Sequence, residues 1–339
     1  MSELNAQRVW DYLDGLAKPR RSLGRLEALA VRLALTQRSL KPVVWPRRLV
    51  IFAGDHGVVA RGVSAWPSDI TALMVGTMLM GRASSSALAA AHDCGVRLVD
   101  VGVASGKPQS PPAFYRDARV AAGTRDLSVE AAMTPAQFDA AWQVGVDEAE
   151  RAFGEGHRVL IAGEMGIGNT TPAACLTMLL ANVAAETAVG RGAGLDDATL
   201  TKKRELIAAA VARVRKFMTG RTAIEALAGF EIVAMAGYFA MGARLGATLL
   251  LDGYVATSAA LIAEHLQPGV AKAMIAAHYS AEPGHSAALS HLGLEPLLDW
   301  GMRLGEGTGA LVALPLLDSA AALLRDVAAL SELGVPRGD

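Results

Sequence analysis

The run Val159-Leu160-Ile161-Ala162-Gly163-Glu164-Met165-Gly166-Ile167-Gly168-Asn169-Thr170-Thr171-Pro172 concentrates residue types that can do chemistry. An apolar β-type run stops at a glycine. A carboxylate follows, then two more glycines, Asn-Thr-Thr, and a proline suited to the first turn of a helix. A strand, a pliant loop and a helix start offer free backbone N–H groups and the positive end of a helix dipole, which together favour a phosphate. The candidate donors are Gly166, Gly168, Asn169 and Thr170. No Gly-Lys-Ser/Thr follows, so this is not a Walker A loop. A glycine-rich turn by itself equally describes an ordinary βα connection. Glu164 points to more, because a carboxylate beside a phosphate repels it unless it has a task of its own.

A second carboxylate stands in Met302-Arg303-Leu304-Gly305-Glu306-Gly307-Thr308-Gly309-Ala310. Glycines on both sides of Glu306 let another molecule approach closely. Taken alone, Gly-Glu-Gly also fits a carboxylate that caps a helix. Gly190-Arg191-Gly192-Ala193-Gly194 is a further glycine-rich loop, either a ribose-phosphate wall at Gly192 or a plain linker. Lys203, near the head of a helix, is either a cation for the phosphate or a solvated surface lysine. Asp55, His56, Asp252, His278 and His285 raise the question of a metal, but no HxH, HExxH or HxxxD spacing groups them. Hydrogen bonding at the mouth of a sheet is the expectation for these residues.

The elements that must position these groups follow from periodicity. Strand-like apolar runs cover 48–54, 97–101, 158–162, 247–252 and 271–278. Alanine-rich helical stretches cover 5–37 (broken at Lys18-Pro19), 69–93, 133–153, 172–186, 198–217, 222–243, 254–266 and 309–332. Such alternation predicts an α/β fold, doubly wound, with a mainly parallel sheet and helices on both faces. Ligands of such sheets sit beyond the carboxyl ends of the strands. There the unusual residues collect: Asp55-His56-Gly57, Asp100, Gly163-Glu164, Asp252-Gly253-Tyr254 and His278 to Glu282.

Bulk composition bounds the partners. A chain of 339 residues exceeds one typical core, which predicts a large domain plus a smaller one. Hydrophobic residues at 52% against 19% charged allow a large core. A net charge of −1 and 5% aromatics supply neither a polybasic face nor a stacking platform, which argues against nucleic acid and against a membrane surface as partners. Cys94 and Cys175 form no CxxC pair, which fits a reducing cytoplasm. The start Met1-Ser2-Glu3-Leu4-Asn5 has no basic-then-apolar signal pattern. The most apolar stretch, 227–243, carries Glu231 and reads as a buried, closely packed helix and not as a membrane span.

Taken together, the motifs resemble the nicotinate-nucleotide:dimethylbenzimidazole phosphoribosyltransferase family, whose members build the lower-ligand nucleotide of cobalamin. The resemblance runs from Leu16-Ala17-Lys18-Pro19 and Ser22-Leu23-Gly24-Arg25-Leu26-Glu27 to the C-terminal helix. It includes Phe52-Ala53-Gly54-Asp55-His56-Gly57-Val58, Gly62-Val63-Ser64, Asp100-Val101-Gly102, the 163–172 run, Leu251-Asp252-Gly253 and Arg303-Leu304-Gly305-Glu306-Gly307. Several long motifs in the right order are specific where one alone would not be. The resemblance implies a Rossmann-like large domain at 47–294, a small helical domain from residues 1–46 and 295–339, and a homodimer. It implies transfer of phosphoribose from nicotinate mononucleotide to 5,6-dimethylbenzimidazole, giving α-ribazole 5′-phosphate and nicotinate, with no metal and no organic cofactor.

By the same resemblance Glu306 is the general base and Glu164 an auxiliary carboxylate that stabilises charge on the ribose or holds its hydroxyls. Held near each other, the two would raise at least one pKa. Ser64, Trp66 and Met74, with Leu304, become the walls of an apolar pocket for the aromatic acceptor. The sequence departs from the family here: some members carry a serine and a glutamine near Trp66 and Met74, so base recognition is expected to rest on stacking and shape more than on hydrogen bonds. Plain core packing is the other reading of Trp66 and Met74. Two other functions fit parts of the pattern: a nucleotide-binding protein without chemistry, and a metal-dependent phosphohydrolase using Asp55 and His56. Within the transferase reading, adenine or another azole is an alternative acceptor.

Overall fold

The computed structural model describes residues 4–192 and 194–334, so Ala193 of the second glycine loop and residues 335–339 of the expected small domain lie outside it. Six strands form one sheet: β1 (Arg47–Gly54), β2 (Gly95–Gly102), β3 (Tyr115–Asp117), β4 (Val159–Met165), β5 (Thr248–Leu251) and β6 (Met274–Ala276). Their order is β3-β2-β1-β4-β5-β6, and every pairing is parallel. The chain therefore winds outward in one direction from β1 and in the other from β4. The crevice between them is the switch point where such sheets take ligands.

Along the chain the helices are α1 (Ala6–Asp14), α2 (Arg25–Thr36), α3 (Asp69–Leu79), α4 (Ser84–Ala91), α5 (Pro135–Gly154), α6 (Thr170–Leu180), α7 (Ala185–Ala188), α8 (Asp197–Phe217), α9 (Gly220–Leu227), α10 (Phe230–Leu245), α11 (Tyr254–Leu266), α12 (Gly284–Leu292) and α13 (Thr308–Asp326). Period-two alternation in β1 feeds two cores. Val50 and Phe52 join the cluster that contains α5, α10 and α11. Leu49, Ile51 and Ala53 face the cluster of α1, α2 and α13. Strands covered on both faces have no polar side to show, which is why they read as continuous apolar runs.

The long helical stretches break where a backbone special intervenes. The 69–93 stretch stops at Gly81, whose φ of +70° ends α3, and resumes as α4. The 222–243 stretch divides around Gly229, where a Cβ would sit 2.5 Å from His56 Cε1 and 2.6 Å from a Glu231 carboxylate oxygen. The 172–186 stretch divides into α6 and α7, with Asn182 at φ +54° between them. The expected strand at 271–278 is shorter. Glu264 caps the N–H groups of Gly269 and Ala271, which holds Val270–Ala273 in a 3₁₀ turn before β6. Strand β3 and helix α12 were not expected. The charged triplet Tyr115-Arg116-Asp117 offers no apolar run, as befits a short edge strand.

The buried apolar helix expected at 227–243 is α10, and its close partner is α5. A Cβ on Gly145 would overlap the Ala234 carbonyl oxygen, and one on Gly237 would overlap that of Trp142. Among the described residues only α13 is long and apolar enough to cross a membrane by length and composition, and 61% of its apolar window is buried in the fold.

Candidate active site

Glu164 sits inside β4, not in the loop after it. Pairing with β1 continues through Phe52↔Glu164 and Ala53↔Met165, so the carboxylate is carried by a central strand. The preceding glycine makes room for another segment. A Cβ on Gly163 would come within 2.5 Å of the Glu306 carbonyl carbon and 2.7 Å of Gly307 N. Reciprocally, a Cβ on Gly305 would collide with Glu164 Oε1. Two glycines thus let segments some 140 positions apart in sequence pack closely at the switch point.

The 305–307 loop is wholly left-handed, with φ of +92°, +60° and +79°. Glycine takes this conformation freely, but at Glu306 it costs about 1 kcal/mol or more. Asp252, just past β5, offsets that strain. Its Oδ2 accepts from Gly307 N at 3.1 Å, and its Oδ1 accepts from Gly309 N at 2.7 Å and Ala310 N at 3.1 Å. These N–H groups head α13 and have no helical partner of their own. Burial pushes the Asp252 carboxyl up, but His278, with the amides of Ala310 and Gly309, outweighs it and holds the group below its usual range. His278 in turn is raised: burial opposes its charge, and Asp252 more than restores it.

Glu306 is 4% exposed. Its Oε2 accepts a hydrogen bond from Ser85 Oγ at 2.7 Å and a longer one from Ser85 N at 3.4 Å. Glu164 Oε2 accepts from Asn169 Nδ2. The Glu164 carboxyl is raised well above the usual range, by burial first and then by Asp252, Glu231 and Glu306. Of the two carboxylates, Glu164 therefore carries a raised pKa.

The phosphate candidates fall beside it. Asn169 stands at the N-cap position of α6 without a capping bond; its own N–H bonds Gly166 O at 3.2 Å and its side chain serves Glu164, so it acts on the carboxylate. A Cβ on Gly166 would overlap Gly54 O, so the 166–168 turn lies directly on the end of β1. Lys203 is buried and is not the surface lysine that its sequence position also allowed. Its Nζ donates to Thr170 Oγ1 at 2.8 Å and would stand 3.6 Å from a Cβ at Gly192. Burial lowers its pKa to about 8, with Glu282 opposing the shift. The ammonium is thus charged below that pH and available behind Thr170 and Gly192.

These groups line one cavity of about 710 Å³, the size of a small-molecule site. Its wall includes Glu164, Gly166, Gly168, Asn169, Thr170, Gly192, Leu304 and Glu306, and on the apolar side Val63, Ser64, Trp66, Ile70 and Met74. Trp66 is 51% exposed and so stands at the cavity, not in the core. Lys203 backs the wall without lining it. Ser280, Glu282 and Arg303, which the sequence placed in the strand-end and 303–307 motifs without a role, also line the cavity, whereas Ser85 did not stand out in the sequence. Ser84-Ser85-Ser86 reads there only as a helix start.

The residues that raised the metal question fall into separate hydrogen-bonding groups, with His278 beside Asp252 and His285, and Asp55 and His56 elsewhere. His56 Nε2 pairs with Glu231 at 3.0 Å, Asp55 Oδ2 accepts from Ala104 N at 2.8 Å, and His285 Nδ1 accepts from Ser280 N at 2.8 Å. Among the described residues no three His, Cys, Asp or Glu side chains converge as metal ligands do.

With this geometry in view, similarity to known proteins is informative. A phosphoribosyltransferase family model matches residues 1–335. A nicotinate-nucleotide–dimethylbenzimidazole phosphoribosyltransferase of Thermus thermophilus is 44% identical over 326 residues, 96% of each chain. One of Chromobacterium violaceum is 44% identical over 99% of this chain and 96% of its own. The crystal structure of CobT from Thermus thermophilus superposes with a TM-score of 0.93 at 43% identity, covering 98% of this chain and 99% of the other. Sequence and fold agree over nearly the whole length, and this chain belongs to the nicotinate-nucleotide–dimethylbenzimidazole phosphoribosyltransferase family of enzymes.

Proposed function

We propose that this enzyme transfers the phosphoribosyl group of nicotinate mononucleotide to 5,6-dimethylbenzimidazole, releasing nicotinate and forming the α-ribazole 5′-phosphate of the cobalamin lower ligand. The leaving ring is a pyridinium, so it departs without protonation and calls for no metal or organic cofactor. The difficult partner is the acceptor. One benzimidazole nitrogen attacks the anomeric carbon while the other holds a proton, and that N–H becomes acidic as the bond forms. Glu306 takes the proton. Attack from the face opposite nicotinate inverts the anomeric carbon.

The observation that carries this reading is the placement of Glu306. Its carboxylate lies on the wall of the cavity shared with Glu164 and the glycine loops, in a backbone conformation that other residues must hold. Glu164, with its raised pKa, favours the neutral acid. A neutral carboxyl can donate to a ribose hydroxyl, which supports the second of its two expected tasks. Gly166, Gly168, Thr170 and Gly192, with Lys203 behind them, hold the phosphate. Ser64, Trp66, Met74 and Leu304 take the acceptor by shape and stacking. In the same reading residues 1–46 and 295–339 form the small domain, for which the shared packing of α1, α2 and α13 speaks, and the enzyme works in the cytoplasm as a homodimer.

The test is turnover of nicotinate mononucleotide with dimethylbenzimidazole, followed by chromatography of both products. Glu306→Gln and Glu306→Ala are expected to lower kcat by roughly 10²–10⁴, the range of general-base help, with an unchanged circular dichroism spectrum. Wild-type turnover by either variant would remove Glu306 from the mechanism.

A further inference from the structure

Helix α4 lines none of the cavity, yet one of its residues reaches Glu306. Ser85, in its first turn, is fully buried and turns its hydroxyl to Glu306 Oε2 at 2.7 Å. The partners are 221 residues apart. The Ser85 N–H, one of the helix-start amides without a helical acceptor, reaches the same oxygen at 3.4 Å. No described residue donates to the other oxygen, Oε1, and the side chain lines the cavity.

We propose that Ser85 is a positioning residue that divides the labour of the two Glu306 oxygens. Oε2 is anchored to α4, and Oε1 is left to receive the acceptor's proton. The inference rests on the reading of Glu306 as the base. Its physical ground is the company Glu306 keeps. The titratable groups that share the cavity wall with it are Glu164 on β4, Asp252 after β5, His278 and Glu282 after β6 and Arg303 on its own loop. Three of these are acids, so a Glu306 head group free to turn would meet like charge from several directions. A hydroxyl and an amide aimed at one oxygen favour the ionised form. They also fix χ angles in a side chain that otherwise rotates freely. Asp252 settles the backbone of Glu306, whereas Ser85 settles its head group.

The experiment compares Ser85→Ala with the wild type and with Ser84→Ala, a neighbouring exposed position, across pH. The same acceptor is used throughout, so its own titration is common to all profiles. Ser85→Ala is expected to lower kcat about tenfold near neutrality and to move the acidic limb of the kcat profile upward by on the order of one pH unit. The KM for nicotinate mononucleotide should change little, the melting temperature should fall by about a few degrees at neutral pH, and Ser84→Ala should match the wild type. If Ser85→Ala is unstable, Ser85→Cys, a weaker donor of similar size, carries the same comparison with a smaller shift in the same direction. A profile lowered evenly at every pH with no moved limb, or one left unchanged, overturns the role of Ser85. Full activity of Glu306→Gln overturns the underlying assignment instead, so the two failures are separable.

Discussion

Glu164 and Glu306 are both buried carboxylates on one cavity, yet they differ in what surrounds them. Glu306 receives the Ser85 hydroxyl and amide, whereas Glu164 receives one amide from Asn169 and the repulsion of three acids. The consequence for stability has a definite sign. A carboxyl whose pKa is raised on folding stabilises the native state when protonated. That contribution is complete below the unfolded pKa and is lost as pH rises from there through the folded value. Glu164→Gln stays neutral at every pH and can keep the contact to Asn169. Its melting temperature should therefore gain on the wild type as pH increases from acid to mildly alkaline, and differential scanning calorimetry across that range checks it. A gap that narrows with pH would mean that Glu164 is ionised in the fold.

At the level of elements, the decisive junction is the start of α13. Its orphan N–H groups are met by Asp252 from the end of β5, which ties a segment near the C-terminus to the middle of the sheet. Asp252→Asn keeps the shape but removes the charge and one acceptor oxygen. It is expected to destabilise the protein by about 2 kcal/mol or more, the scale of a buried charged hydrogen-bond group. Because the Glu306 loop loses its hold, kcat should fall with it. Chemical denaturation and turnover measured on the same preparation check both. Much at this scale was legible in advance: β1, β2, β4, α5, α8 and α11 follow directly from apolar runs and alanine-rich periodicity. The breaks at Gly81 and Gly229 and the charged edge strand β3 were not, because each answers to a contact or a backbone angle that no local pattern encodes.

For the whole molecule, two glycines couple distant parts of the chain. Gly163→Ala introduces a Cβ 2.5 Å from the Glu306 carbonyl carbon, with backbone and not flexible side chain as the obstacle. Overpacking of this type costs about 1–3 kcal/mol. Activity should fall by more than stability does, since the displaced segment is the one that carries the proposed base; thermal melts and kcat on the purified variant decide it. Leu73 on α3 and Met80 just after it are 63% and 66% exposed, and we propose that this apolar pair belongs to the homodimer contact. Analytical ultracentrifugation should give twice the 35.2 kDa chain mass, and Leu73→Glu with Met80→Glu should shift it toward the monomer. A wild-type monomer at micromolar concentration would end that proposal.

The amino-acid sequence alone determined the layering and the cast. Apolar strands alternating with amphipathic helices leave few arrangements other than a covered parallel sheet, and carboxylates framed by glycines stand out in an otherwise aliphatic chain. It also placed Glu164, Gly192, Trp66, Met74 and Glu306 among the candidates that the fold brings to one cavity. Tertiary structure alone decided that Glu164 carries a raised pKa, that Lys203 is buried behind Thr170, that Asn169 serves a carboxylate, and that Ser85 reaches Glu306. Burial and partner charge set those outcomes. Both are sums over neighbours far away along the chain, and they come into being only when the two ends of the polypeptide meet the centre of the sheet.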